Sequence, residues 1–107
     1  MVKVTYHKEY NRLSVSGHAN SADKGEDLIC AAVSILTLTL GENVKHMAEI
    51  NAVRNPVIDI RDGEAEISCT ASGGYRNIVM QTFQSIIVGF EIMASKFPEN
   101  ISFEIMG

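Results

Sequence analysis

The chain has 107 residues, of which 46% are hydrophobic and 21% charged, and its net charge is −4. That length supports one domain with its own core, and mild acidity without a basic block argues against direct nucleic-acid binding. No secretory signal is visible and the longest mostly apolar run, Leu28 to Leu40, is short for a bilayer, so residues 1–107 read as a single cytoplasmic domain without a membrane partner.

The first strand is VKVTYH, with Val2, Val4 and Tyr6 on one face and Lys3, Thr5 and His7 on the other. EYNR reads as a turn, and LSVSG as the returning strand with Leu13 and Val15 facing inward. From His18 to Glu26 every residue is small or polar, the composition of a loop, with Gly25 near its end. With few apolar anchors, this loop is expected to be mobile and to order when substrate binds, Gly25 acting as hinge.

A helix is expected from about Asp27 to Ile50. Asp23 with Glu26 suits a capping box, while Asp27 as N-cap leaves Cys30 in the first turn. Gly41 is expected to weaken or bend this helix, and Lys45 and His46 suit its negative end. Leu28, Ile29, Ala31, Ala32, Val33, Ile35, Leu36, Leu38 and Leu40 surround it almost completely. A helix apolar on all sides needs cover on all sides, and a domain with two helices cannot supply it, so a homodimer is expected.

NPVIDIRDGEAEISCTA is a second hairpin turning at Asp62-Gly63, a pair that tolerates positive φ. Cys69 follows Ala65 and Ile67 at strand spacing and should face the core. A second helix spans about Tyr75 to Phe97, with Ile78, Val79, Phe83, Ile86, Ile87, Phe90, Met93 and Phe97 as its apolar stripe. Pro98 stops it, and a last strand follows with Ile101, Phe103 and Ile105 facing one way. The order β-β-α-β-β-α-β predicts an α+β sandwich, with both helices on one face of an antiparallel or mixed sheet.

Asp27, Cys30 and Ser34 share a helical face, a polar strip on an otherwise apolar helix. His18 stands at the far end of the loop, directly after a strand. A loop folding back would let imidazole take the thiol proton and Cys30 attack a carbonyl. Asp27 would orient the ring, and helix N–H groups could receive the oxyanion. The plainer alternatives are a buried structural thiol at Cys30 and, at Ser34, a hydroxyl bonded back to the preceding turn. No C-x-x-C or paired histidine motif supplies a zinc site, no cofactor is expected, and Cys30 has no evident resolving thiol.

Gly17-His18-Ala19, Gly25, Asp27-Leu28-Ile29-Cys30-Ala31-Ala32 and Ser34 resemble, in identity and spacing, the signature of the bacterial ribosomal-processing cysteine protease family. The stretch covers 18 of 107 residues, and the expected element order and total length agree with that family as well. The resemblance implies a homodimeric cysteine peptidase with Cys30 and His18 as its catalytic pair, and with Gly17, Gly25, Asp27 and Ser34 in support. It implies as substrate the N-terminal extension of a large-subunit ribosomal protein, cut after an aromatic residue within that extension; left uncut, the tail would obstruct the peptidyl-transferase centre. A non-catalytic module binding the same ribosomal protein and a thiol redox protein are the competing readings.

Overall fold

The structure, a computed structural model, describes residues 1–18 and 24–107, the stretch 24–27 by backbone alone. Its elements are β1 (Val2–His7), β2 (Arg12–Ser16), α1 (Lys24–Glu49), β3 (Val53–Arg61), β4 (Glu64–Ala71), α2 (Arg76–Lys96) and β5 (Ile101–Met106). The order is the expected one. The EYNR turn is tighter than a plain hairpin loop, with a 3-10 turn at Lys8–Tyr10 closed by Asn11 at φ 45°. Asparagine is among the few side chains that tolerate this left-handed conformation.

The strands form one mixed sheet in the order β3-β4-β2-β1-β5. β1 runs parallel to β5 and every other neighbouring pair is antiparallel. Period-two burial puts Val2, Val4, Tyr6, Leu13, Val15, Ala65, Ile67, Cys69 and Ile101 in one buried layer. α1 packs on β3 and β4, α2 packs on β5, and the two helices pack on each other. Phe83, Phe90, Leu40, Val44, Val79 and Ile87 fill the space between helices and sheet. The result is a two-layer α+β sandwich with a single core.

Several sequence expectations change. α1 begins at Lys24, so Cys30 lies in its second turn and not in the first, and Asp27 lies inside the helix instead of capping it. Gly25, expected to be a loop hinge, also falls within the helix. The ordering expected for the loop, including Ala19 to Asp23, falls on residues 19–23, outside the described residues. The helix runs unbroken through Gly41, where β3 comes close: a Cβ there would stand 3.2 Å from Ile58 Cγ2 and 3.3 Å from Ile60 Cδ1. Ile78 and Phe97 of the expected α2 stripe are exposed, as is Ile105 near the end of β5: Ile78 lies to the side of the buried arc of Val79, Phe83, Ile86, Ile87, Phe90 and Met93, and Phe97 follows the last helical residue.

By length and composition α1 and α2 could each cross a membrane, with a mean hydropathy of 1.4 over the apolar window, yet each lays its buried stripe on the sheet. α1 nevertheless keeps an uncovered apolar stripe: Leu28 is 72% exposed and Ile35 61%.

Candidate active site

Two glycines bring the first part of the site together. The β2–β4 ladder ends with Ser16 opposite Glu64. One step further, the Gly17 N–H donates to the Gly63 carbonyl at 2.9 Å, which places His18 opposite Asp62. Gly17 takes φ +101°, and a Cβ there would overlap the Met1 carbonyl oxygen, so only glycine allows the chain to leave β2 in this direction. The Met1 amino group donates to the His18 carbonyl at 3.0 Å and fixes the histidine backbone from the β1 side. Of the Asp62-Gly63 pair only Gly63 takes positive φ, +76°.

α1 supplies the second part. Cys30, Ser34 and Leu38 follow one another at one-turn spacing and line a cavity of about 190 Å³ between α1 and the sheet. His18, Asp62 and Gly63 line the same cavity. Its inner wall is apolar, made by Val2, Val15, Val33 and Ala65. Thr37, also in the wall, is buried and donates its hydroxyl to the Val33 carbonyl at 2.7 Å, so its polarity is spent within the helix. Cys30 is half-buried, whereas Ser34 is exposed.

The structure therefore brings His18, Cys30, Ser34 and Gly17 to one place. The side chains of Gly25 and Asp27 lie outside what it describes. The carboxylate it does place beside the imidazole is Asp62, with Oδ1 4.0 Å from His18 Nδ1. That separation is a charge contact and too long for a direct hydrogen bond. The sequence reading has Asp62 only as a turn residue and not in the site, because its proximity to His18 depends on how β2 registers on β4, a non-local pairing. The only signal was that both Gly17 and Gly63 end paired strands. The helix N–H groups also need correction as oxyanion donors near Cys30: with α1 starting at Lys24, amides in the second turn are bonded within the helix.

The second thiol is set apart. Cys69 is buried in β4, and burial pushes its pKa up to about 11. Tyr6 is raised as well, first by burial and then by the neighbouring Cys69. Neither cysteine is in a disulfide, and among the described residues no group of three or more metal-type ligands converges.

A thiol, an imidazole and a carboxylate around an apolar-walled cavity, carried on a two-layer α+β domain, are the groups a hydrolase of the cysteine class uses. The sequence model of the family described as cysteine protease Prp matches residues 1–102, and the chain belongs to that family. It is a cysteine peptidase. Among solved structures it is similar to the ribosomal processing protease Prp of S. aureus in complex with a substrate peptide, at 20% identity and a TM-score of 0.70, covering 98% of this chain and 97% of that one. The same S. aureus protease with a covalently linked product peptide gives 21% and 0.69 with the same coverage. SMU.848 from Streptococcus mutans is 24% identical with a TM-score of 0.68, covering 98% of this chain and 91% of that one. At such identities the likeness establishes the shared fold. No curated protein matches the sequence.

Proposed function

We propose that this chain is a cytoplasmic endopeptidase that removes the N-terminal extension of a large-subunit ribosomal protein, with Cys30 as nucleophile and His18 as its base. The observation that carries the reading is the single cavity lined by both residues. The S. aureus relatives, described as ribosomal processing proteases and holding a substrate peptide or a covalently linked product peptide, support the choice of substrate.

In this mechanism His18 takes the proton of the Cys30 thiol as sulfur attacks the scissile carbonyl carbon. The tetrahedral intermediate collapses when the imidazolium returns that proton to the leaving amine, which leaves a thioester on Cys30. Water, deprotonated by His18, then attacks the thioester, and the thiol is regenerated with the new carboxylate. The apolar wall beside the thiol excludes water from the acyl group and offers room for an apolar substrate side chain.

The test is cleavage of a synthetic peptide spanning the extension and the first mature residues, followed by mass spectrometry. Cys30→Ala should abolish cleavage and His18→Ala should lower it by at least about 10³-fold to a residual rate, each with native circular dichroism, and full activity in either ends its assignment. Ser34 and Asp27 act in support in this reading, and their alanine variants should slow cleavage without abolishing it.

The working form is a homodimer. The uncovered stripe of Leu28, Ile35 and Leu38 on α1 favours it, since contiguous exposed apolar surface of this kind marks an interaction face. Sedimentation at micromolar concentration should give about twice 11.7 kDa, and Ile35→Arg should shift the species to monomer. A clean wild-type monomer overturns the dimer.

A further inference from the structure

The imidazole of His18 lies over the backbone of the β3–β4 turn. A Cβ built on Gly63 would overlap His18 Nε2, and would stand 2.7 Å from Cε1 and 3.0 Å from Cδ2. Three ring atoms therefore occupy the volume that any other residue at position 63 would fill. On the other side of the ring, Asp62 Oδ1 is 4.0 Å from Nδ1. The same turn anchors the backbone of the preceding residue through the hydrogen bond from Gly17 N–H to Gly63 O, 2.9 Å long. The turn is itself braced, because Arg61 Nη2 and Glu64 Oε2 pair across it at 3.3 Å. Asp62 stays wholly exposed, while the imidazole is about half exposed.

A half-exposed histidine at the end of a strand has many rotamers, and a base with many rotamers spends little time at the thiol. We propose that the β3–β4 turn is the positioning element for His18: Gly63 provides the seat in which the ring lies, and Asp62 holds the ring from its Nδ1 edge. This rests on the Cys30–His18 reading above. Both are positioning residues, since neither touches the scissile bond. At 4.0 Å Asp62 makes no direct hydrogen bond to Nδ1, and it acts as a negative charge that favours the ring orientation with this edge turned toward the turn. The seat explains a second demand on position 63 beyond its φ of +76°: the turn needs a residue that accepts positive φ, and the ring needs one without a Cβ.

Two substitutions separate these demands. Gly63→Asn keeps a residue that tolerates positive φ while filling the seat. Asp62→Asn keeps the shape of the turn while removing the charge. With the peptide above, Gly63→Asn should lower kcat about tenfold and Asp62→Asn about threefold, with KM unchanged within about twofold, because ring placement and not substrate binding is affected. In a His18→Ala background neither substitution should lower the residual rate further, since both act through that ring. The imidazole resonances of His18, followed by NMR in histidine-labelled protein, should move in both single variants. Wild-type kcat in both variants, or losses that persist in the His18→Ala background, overturns the proposal while leaving the Cys30–His18 assignment standing. If the wild-type chain does not cleave the peptide, the proposed function falls and the resonances alone decide the seat: shifted ring signals uphold it and unmoved ones overturn it. Should Gly63→Asn fail to fold, Asp62→Asn decides by the same readouts.

Discussion

The chain carries its two thiols in opposite surroundings. Cys30 stands on α1 at the edge of a cavity shared with His18, Ser34 and Asp62, half in contact with solvent. Cys69 stands in the middle of the sheet, 3% exposed, with burial pushing its thiol up to about 11. One sulfur shares a cavity with polar and ionisable side chains, and the other has a wall of hydrocarbon and the Tyr6 ring. Reactivity is therefore set by what stands within reach of the sulfur and how wet the place is, since the side chains are identical.

The same chemical change at both positions sharpens the contrast most. Cys30→Ser should reduce peptide cleavage by at least about 10³-fold while leaving the thermal midpoint nearly unchanged. Cys69→Ser should do the opposite, keeping most activity and losing roughly 1–3 kcal/mol because a hydroxyl is buried where only a thiol was accommodated. Denaturant titration and peptide kinetics on the two variants check both halves, and a Cys69→Ser protein that folds normally but is inactive breaks the division. Next in size is labelling: iodoacetamide on native protein should modify Cys30 and leave Cys69 intact until denaturant is added, as read by peptide mass mapping. Cys69→Ala should cost only about 1 kcal/mol, the loss of a small buried group without a new polar one.

The smallest effect concerns pH. The Cys69 pKa is raised on folding, so the native state holds the thiol proton more tightly than the unfolded chain does. Its stabilising contribution is complete below the ordinary thiol value of 9.0 and is lost as pH rises through that value toward about 11. The urea midpoint should fall over that interval, and by less in Cys69→Ala. Part of the fall should persist in that variant, because Tyr6 is shifted in the same direction, mainly by burial.

What was legible in the sequence divides along the same line between local and non-local order. Val2, Val4 and Tyr6, or Ala65, Ile67 and Cys69, announce their buried face by alternation, and the structure buries all six. Val79, Phe83, Ile86, Ile87 and Phe90 do so at helical spacing. The spacing of His18 and Cys30 could be seen along the chain because one loop joins them. The sequence left two entrances to α1 open, at Asp23 and at Asp27, because Lys24-Gly25-Glu26 contains no apolar residue to mark a helical face and glycine argues against a helix; the start at Lys24 agrees with the first. The expected stripe is too wide at Ile78, which points to the side of the buried arc, and too long at Phe97, where periodicity does not say where the helix stops. Asp62 was invisible as a site residue for a third reason: it meets His18 only through the pairing of β2 with β4, and strand patterns do not state their partner or register.

One pairing of the sheet has a consequence in time. β1 lies between β2 and β5, and its parallel partner joins Val2 to Ile101, across nearly the whole chain. During synthesis β1 and β2 can pair early, yet the far edge of β1 stays open until residues beyond Pro98 have left the ribosome. A contact of such sequence separation is slow to form, and an open strand edge is a place where unwanted chains can add. The wall of the Cys30 cavity includes Val2, the first residue of that strand. One wall of that cavity therefore depends on a strand whose far edge is covered only by residues 101–106, distant in sequence from everything else that lines it.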